Sequence, residues 1–196
     1  MMFPMDSISA FVLAGGMSTR MRKDKAFLRL GETTLLEHGL ILAREVAEHV
    51  SIVGPPEKFA AYAETLEDVF PQRGPLAGIH AALCSSSTEM NLMLAVDVPF
   101  VTPEFLRYLI LRASQSGAVV TLPRTDYFHP LCAVYRRSFA ATAEESLQAG
   151  HNKIDALFAS VTTLVIEQKE MEREGFNRDI LRNLNTPQDF EHAAGL

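Results

Sequence analysis

Apolar residues in this chain come in short runs that stop at glycine, proline or aspartate. The run 8–13 ends in Ala14-Gly15-Gly16, the run 50–53 in Gly54-Pro55-Pro56, and the run 92–96 in Asp97-Val98-Pro99. Runs of that length bounded by breakers predict strands buried on both faces, as parallel strands are. Residues 118–122, 131–135 and 162–166 read as further strands by the same pattern.

Between these runs the periodicity turns helical. Thr34-x-x-Glu37 is a capping box, and Leu36, Leu40, Ala43 and Ala47 follow at spacings of four, three and four, which puts one apolar face on a helix. Segments 75–83 and 103–112 each open with proline in the first turn. Thr186-Pro187-Gln188-Asp189 supplies a cap, an N1 proline and an acidic N3 residue for a last helix. Strands alternating with helices predict one α/β domain over residues 1–196, with a mostly parallel sheet flanked by helices. Such sheets bind ligands beyond the carboxyl ends of their strands, so the loops after Leu13 and Val96 are the first places to seek chemistry.

At 196 residues and 47% apolar content the chain suits the core of one globular domain. A net charge of -6 argues against a surface built for nucleic acid, which needs a basic face. The two cysteines, Cys84 and Cys132, form no CxxC or Cys/His array, so neither a disulfide framework nor a structural zinc is expected. With His80 they read as packing positions. No apolar run reaches bilayer length, and the expectation is a cytoplasmic protein without membrane contact.

The segment Leu13-Ala14-Gly15-Gly16-Met17-Ser18-Thr19-Arg20-Met21-Arg22-Lys23-Asp24-Lys25 sets two glycines at a strand end before four basic residues. Glycines let backbone N–H groups approach an anion, and the cations compensate phosphate charge. Neither GxGxxG nor GxxxxGK[ST] is present. A glycine turn followed by a solvated basic stretch is the plainer alternative, and Arg22 and Lys23 fit it. Asp97 at a strand end suits either a magnesium ligand or an ordinary turn residue. Gly74-Pro75-Leu76-Ala77-Gly78, shortly after Asp68, suits either a ligand contact or a simple helix start.

The first of these segments resembles the signature of the molybdenum cofactor guanylyltransferase family, close to LAGGxSxRMGxDKAxL, at Leu13 to Gly16, Ser18, Arg20, Met21, Asp24, Lys25, Ala26 and Leu28; Arg22 stands where that family usually has glycine. Gly74 to Gly78 resembles a GPLxG element, Asp97 to Phe100 a DxPF element, His129-Pro130-Leu131 an HPL element, and Asn183 to Pro187 an NxNTP element. Gly54 stands where some members carry asparagine.

The resemblance, carried by ordered motifs from about Ile8 to Asp189, implies a Rossmann-like nucleotidyltransferase. In it Leu13, Ala14, Gly15, Gly16, Asp68, Gly74, Pro75, Leu76 and Gly78 serve the nucleotide. Arg20 and Lys25 compensate the triphosphate, Asp97 holds Mg2+, and His129, Asn183 and Asn185 face the acceptor. The implied reaction joins GMP from GTP to molybdenum-loaded molybdopterin, with a molybdenum-insertion protein or molybdoenzyme chaperone as a further partner. The alternatives are a cytidylyltransferase using CTP, a non-catalytic nucleotide-binding delivery partner and, third among enzymes, a sugar-phosphate nucleotidyltransferase.

Overall fold

A computed structural model describes residues 8–15 and 24–184. Gly16, Arg20, Arg22, Lys23, Asn185 and the expected cap at Thr186 lie outside the described residues.

The strands are β1 (Ile8–Leu13), β2 (Arg29–Leu30), β3 (Thr33–Thr34), β4 (His49–Val53), β5 (Thr65–Leu66), β6 (Met90–Ala95), β7 (Val120–Arg124), β8 (Cys132–Arg136) and β9 (Thr163–Glu167). The helices are α1 (Leu35–Arg44), α2 (Pro56–Phe59), α3 (Pro75–Ser85), α4 (Pro103–Ser116), α5 (Phe139–Gln148) and α6 (Gln168–Arg173). Seven strands form one sheet in the order β5-β4-β1-β6-β8-β7-β9, and β2 and β3 pair as a small hairpin. The sheet is parallel except at β8, which runs antiparallel to β6 and β7.

All six residues of β1 are buried, because helices cover both faces of the sheet. The strand's period of two divides them: Ala10 and Val12 join a core with Leu36 and Leu40 of α1 and Phe105 and Leu109 of α4, while Phe11 and Leu13 join another with Leu76 and Leu83 of α3 and Phe139 of α5. Each such large side chain contributes roughly 1.5–3 kcal/mol on burial, so β1 is clamped from both sides and its carboxyl end is fixed. The capping box forms as expected, with the Glu37 N–H donating to Thr34 Oγ1 and the Thr34 N–H to Glu37 Oε2.

Several boundaries differ from the sequence pattern. Ala47 lies beyond α1, Val96 just past β6, and β7 starts and ends two residues later than expected. Cys132 is buried but Cys84 is exposed, which corrects its reading as a packing position: α3 turns that residue outward at its last turn. Among the described residues no helix is long and apolar enough to cross a membrane.

Candidate active site

The carboxyl ends of β4, β1 and β6 stand side by side, with Leu13 paired to both Val53 and Ala95. Beyond them the Ala14 and Gly15 N–H groups both donate to the Val53 carbonyl, each at 3.0 Å, and the Val96 N–H donates to the Leu13 carbonyl at 3.4 Å. The amides of Ala14 and Gly15 thus hold the turn. Gly54 faces Gly15: a Cβ on Gly54 would lie 2.8 Å from the Phe59 ring and 3.3 Å from the Gly15 nitrogen, and one on Gly15 would lie 3.4 Å from Gly54 Cα. A side chain at Gly54 would therefore press on Phe59, which is fully buried beneath it.

Lys25 opens a 3-10 turn, Lys25–Phe27, capped by Asp24, whose Oδ1 accepts the Ala26 N–H at 3.2 Å. The turn is gripped from α2. Asp24 Oδ2 accepts from Lys58 Nζ at 2.9 Å, and the Phe27 ring stacks on Phe59 with centroids 5.6 Å apart. So held, Lys25 Nζ lies 3.5 Å from Asp97 Oδ2, each side chain about one-fifth exposed. Asp97 follows β6 and carries a raised pKa: burial penalises its charged form more than Lys25 favours it.

Asp97 also anchors the end of the described chain, since its carbonyl accepts the Leu184 N–H at 2.9 Å. That bond brings Asn183, whose Oδ1 is buried without a hydrogen-bond partner, to the Asp97 loop. On the far side the β6–β8 ladder continues to a 2.7 Å bond from the Ala95 N–H to the Leu131 carbonyl, so His129 leads into the same region. His129 is itself buried. Its Nε2 pairs with Thr125 Oγ1 at 2.8 Å, the Tyr127 ring packs tilted against it with centroids 4.7 Å apart, and burial drops its pKa to about 4. Arg178 and Asp126 close the circuit through a 2.6 Å ion pair.

The α3 side carries the other expected positions. Gly74 caps the helix at φ 71° and ψ -161°, a backbone region open essentially to glycine alone. Gly74 and Pro75 are exposed, whereas Leu76 and Gly78 are buried. A Cβ on Gly78 would lie 3.3 Å from Val53 Cγ1, so that glycine lets α3 sit close on the sheet. Leu13 and Leu76 are core residues whose side chains face inward. Asp68 is half-buried, with Oδ1 enclosed and unpartnered and its pKa raised by burial, against a backbone hydrogen bond at Phe70. An enclosed carboxylate oxygen without a donor costs free energy.

Lys25 and Asp97 thus meet, with Asn183 and His129 toward the same end of the sheet, while Gly74 and Asp68 belong to the α3 side. Sequence reasoning gave no role to Asp24, Lys58, Phe27 or Phe59, which fix Lys25. Asp24 entered the sequence reading only as a position matching the family signature.

A family model described as the MobA-like NTP transferase domain matches residues 10–164. The chain is 31% identical over 188 residues to the probable molybdenum cofactor guanylyltransferase of Carboxydothermus hydrogenoformans, covering 95% of each. It is 32% identical over 189 residues to the molybdenum cofactor guanylyltransferase of Syntrophotalea carbinolica, covering 93% of this chain and 89% of that one. Among solved structures, molybdopterin-guanine dinucleotide biosynthesis protein A from Archaeoglobus fulgidus superposes with a TM-score of 0.84 at 28% identity, covering 95% of this chain and 97% of that one. The chain therefore belongs to the MobA-like NTP transferase family, among the molybdenum cofactor guanylyltransferases, and is a nucleotidyltransferase.

Proposed function

We propose that the chain transfers GMP from GTP to the terminal phosphate of molybdenum-loaded molybdopterin, giving the molybdopterin guanine dinucleotide cofactor and pyrophosphate. The observation that carries this reading is the Lys25–Asp97 pair, 3.5 Å apart at the carboxyl ends of β1 and β6. The names of the relatives favour guanine over cytosine.

An oxygen of the acceptor phosphate attacks the α-phosphorus of GTP. The new O–P bond forms as the bond to the bridging oxygen breaks, and pyrophosphate leaves with that electron pair. The attacking oxygen is already anionic, so the protein has no proton to remove, and its work is alignment and charge compensation. Lys25, with Arg20, neutralises the triphosphate. The nucleoside lies over the floor made by Leu13, Ala14 and Gly15 and against the main chain of Gly74, Pro75 and Leu76, with Gly78 acting through packing; Gly16 is assigned to the nucleotide from the motif alone. Asp68 offers its unpartnered oxygen to a nucleotide donor. Asn183, Asn185 and His129 face the acceptor, His129 as a neutral ring at pH 7.

Families of this kind generally use a divalent metal, and the residues present fit magnesium. Among the described residues no group of three or more His, Cys, Asp or Glu side chains gathers to hold an ion alone. The remaining donor set is one carboxylate with substrate phosphates, a set that magnesium accepts. Burial raises the Asp97 pKa more than Lys25 lowers it, so a cation bound there would favour the ionised carboxylate. Bound there, the ion would supply a Lewis acid and a template for phosphate oxygens.

Competition binding with magnesium present tests the nucleotide assignment. GTP is expected to displace a labelled guanine nucleotide at least tenfold more effectively than CTP, and the reverse order would replace the guanine reading with the cytosine one.

A further inference from the structure

Away from this site, α3 carries a second pair of chemically active groups. Cys84 Sγ lies 3.3 Å from Nε2 of His80, one helical turn earlier. Cys84 is exposed, whereas His80 is only 4% exposed, packs edge-on against Phe70, and has a buried Nδ1 without a hydrogen-bond partner. Both residues line a hollow of about 510 Å³ that is also walled by Thr65, Leu66, Glu67 and Val69. The imidazole is therefore fixed by packing rather than by polar partners, with the sulfur as the partner of its Nε2.

We infer that Cys84 and His80 form a thiol-exchange site for low-molecular-weight disulfides, with His80 as the base. The Cys84 sulfur attacks one sulfur of the disulfide while its proton passes to His80 Nε2. A Cys84–S–S–R bond forms, the S–S bond of the reagent breaks, and the departing thiolate takes the proton from His80 to leave as a thiol. Burial, seconded by the Glu144 carboxylate, raises the Cys84 pKa against the pull of Arg137, and Glu67 adds a further carboxylate to the hollow. The sulfur thus rests protonated and needs a base to react near neutral pH.

The hollow also links this site to the nucleotide. Its wall at residues 65–69 includes the segment carrying Asp68, so a bulky adduct on Cys84 presses on that segment and weakens nucleotide binding. This link rests on the proposed role of Asp68.

The test uses the reduced full chain and an aromatic disulfide whose released thiolate is coloured. One thiol per folded chain is expected to react, because Cys132 is buried at 1% exposure, and Cys84→Ser should abolish the reaction. Between pH 9 and pH 7 the rate should level off, whereas an unassisted thiol loses about tenfold per pH unit. His80→Gln should restore that steep fall and slow the reaction at pH 7 about tenfold or more. A steep fall in the wild type, or a reactive thiol remaining in Cys84→Ser, overturns the site. If His80→Gln misfolds, both cysteines react together, and the wild-type profile decides alone.

Treatment with glutathione disulfide should then weaken GTP binding at least threefold in the wild type and leave Cys84→Ser unchanged. Unaltered binding, where Asp68→Asn itself weakens GTP, overturns the link. Unaltered binding in both overturns the link together with the reading of Asp68, and leaves exchange at Cys84 standing.

Discussion

Lys25 Nζ and Asp97 Oδ2 stand 3.5 Å apart, and this pair joins the loop after β1 to the loop after β6. The Asp24 cap, the Lys58 ion pair and the Phe27–Phe59 stack fix the lysine, and β6 fixes the aspartate. Positioned charge of this kind is worth about 10²–10³ in rate when it faces a developing anion. Lys25→Ala is expected to lower kcat/KM for GTP by about 10²-fold in steady-state assays. It should also move the acid limb of the pH profile to higher pH, because the lysine lowers the Asp97 pKa and its loss leaves burial opposed only by a backbone hydrogen bond.

Asp97 should cost stability in return for its function. Its folded pKa is raised by burial, so the folded state holds that proton more tightly than the unfolded chain. The contribution to stability is favourable at low pH and is lost as pH climbs from the ordinary carboxylate value through the raised one. Asp97→Asn should therefore be more stable than wild type at pH 7, with a higher Tm, while losing metal-dependent turnover. Thermal unfolding of both proteins at pH 7 checks the sign.

His129 works in the opposite direction. Its folded pKa is about 4 because the ring is buried, below the ordinary value of about 6.5, so protons favour the unfolded chain between those values. The stability it contributes is complete above pH 6.5 and is lost as pH falls toward 4, on the order of 3 kcal/mol in all. Chemical denaturation across this range should show a steep acid loss in wild type and a shallower one in His129→Gln.

Gly54 and Phe59 are predicted to be coupled. A Cβ on Gly54 would lie 2.8 Å from the Phe59 ring, so Gly54→Asn should destabilise by roughly 1–3 kcal/mol, the usual cost of overpacking. Adding Phe59→Leu to Gly54→Asn should recover part of that loss. Simple additivity in a double-mutant cycle would show that the contact carries no coupling.

The longer strands and the capping box were legible because each rests on a local pattern: a mostly apolar run ending at Ala14-Gly15-Gly16, or Thr34 three residues before Glu37. The Lys25–Asp97 pair was legible only as two separate motif positions, since the 71 residues between them hide their meeting. The short elements α2 and β5 left no periodic signal, and β8 reads in sequence like any buried strand although it runs antiparallel. The use of the Ala14 and Gly15 amides was also invisible, because their acceptor is the Val53 carbonyl across the sheet. Gly54 explains itself only through Phe59, five residues on but folded back beneath it.

The most direct test of the account is product formation by the purified chain with magnesium, molybdenum-loaded molybdopterin, and GTP or CTP in separate reactions. Pyrophosphate release with GTP, matched mole for mole by a product whose mass equals acceptor plus GMP, is the predicted result. Release with CTP alone, or GTP bound without pyrophosphate release when the acceptor is present, would contradict it.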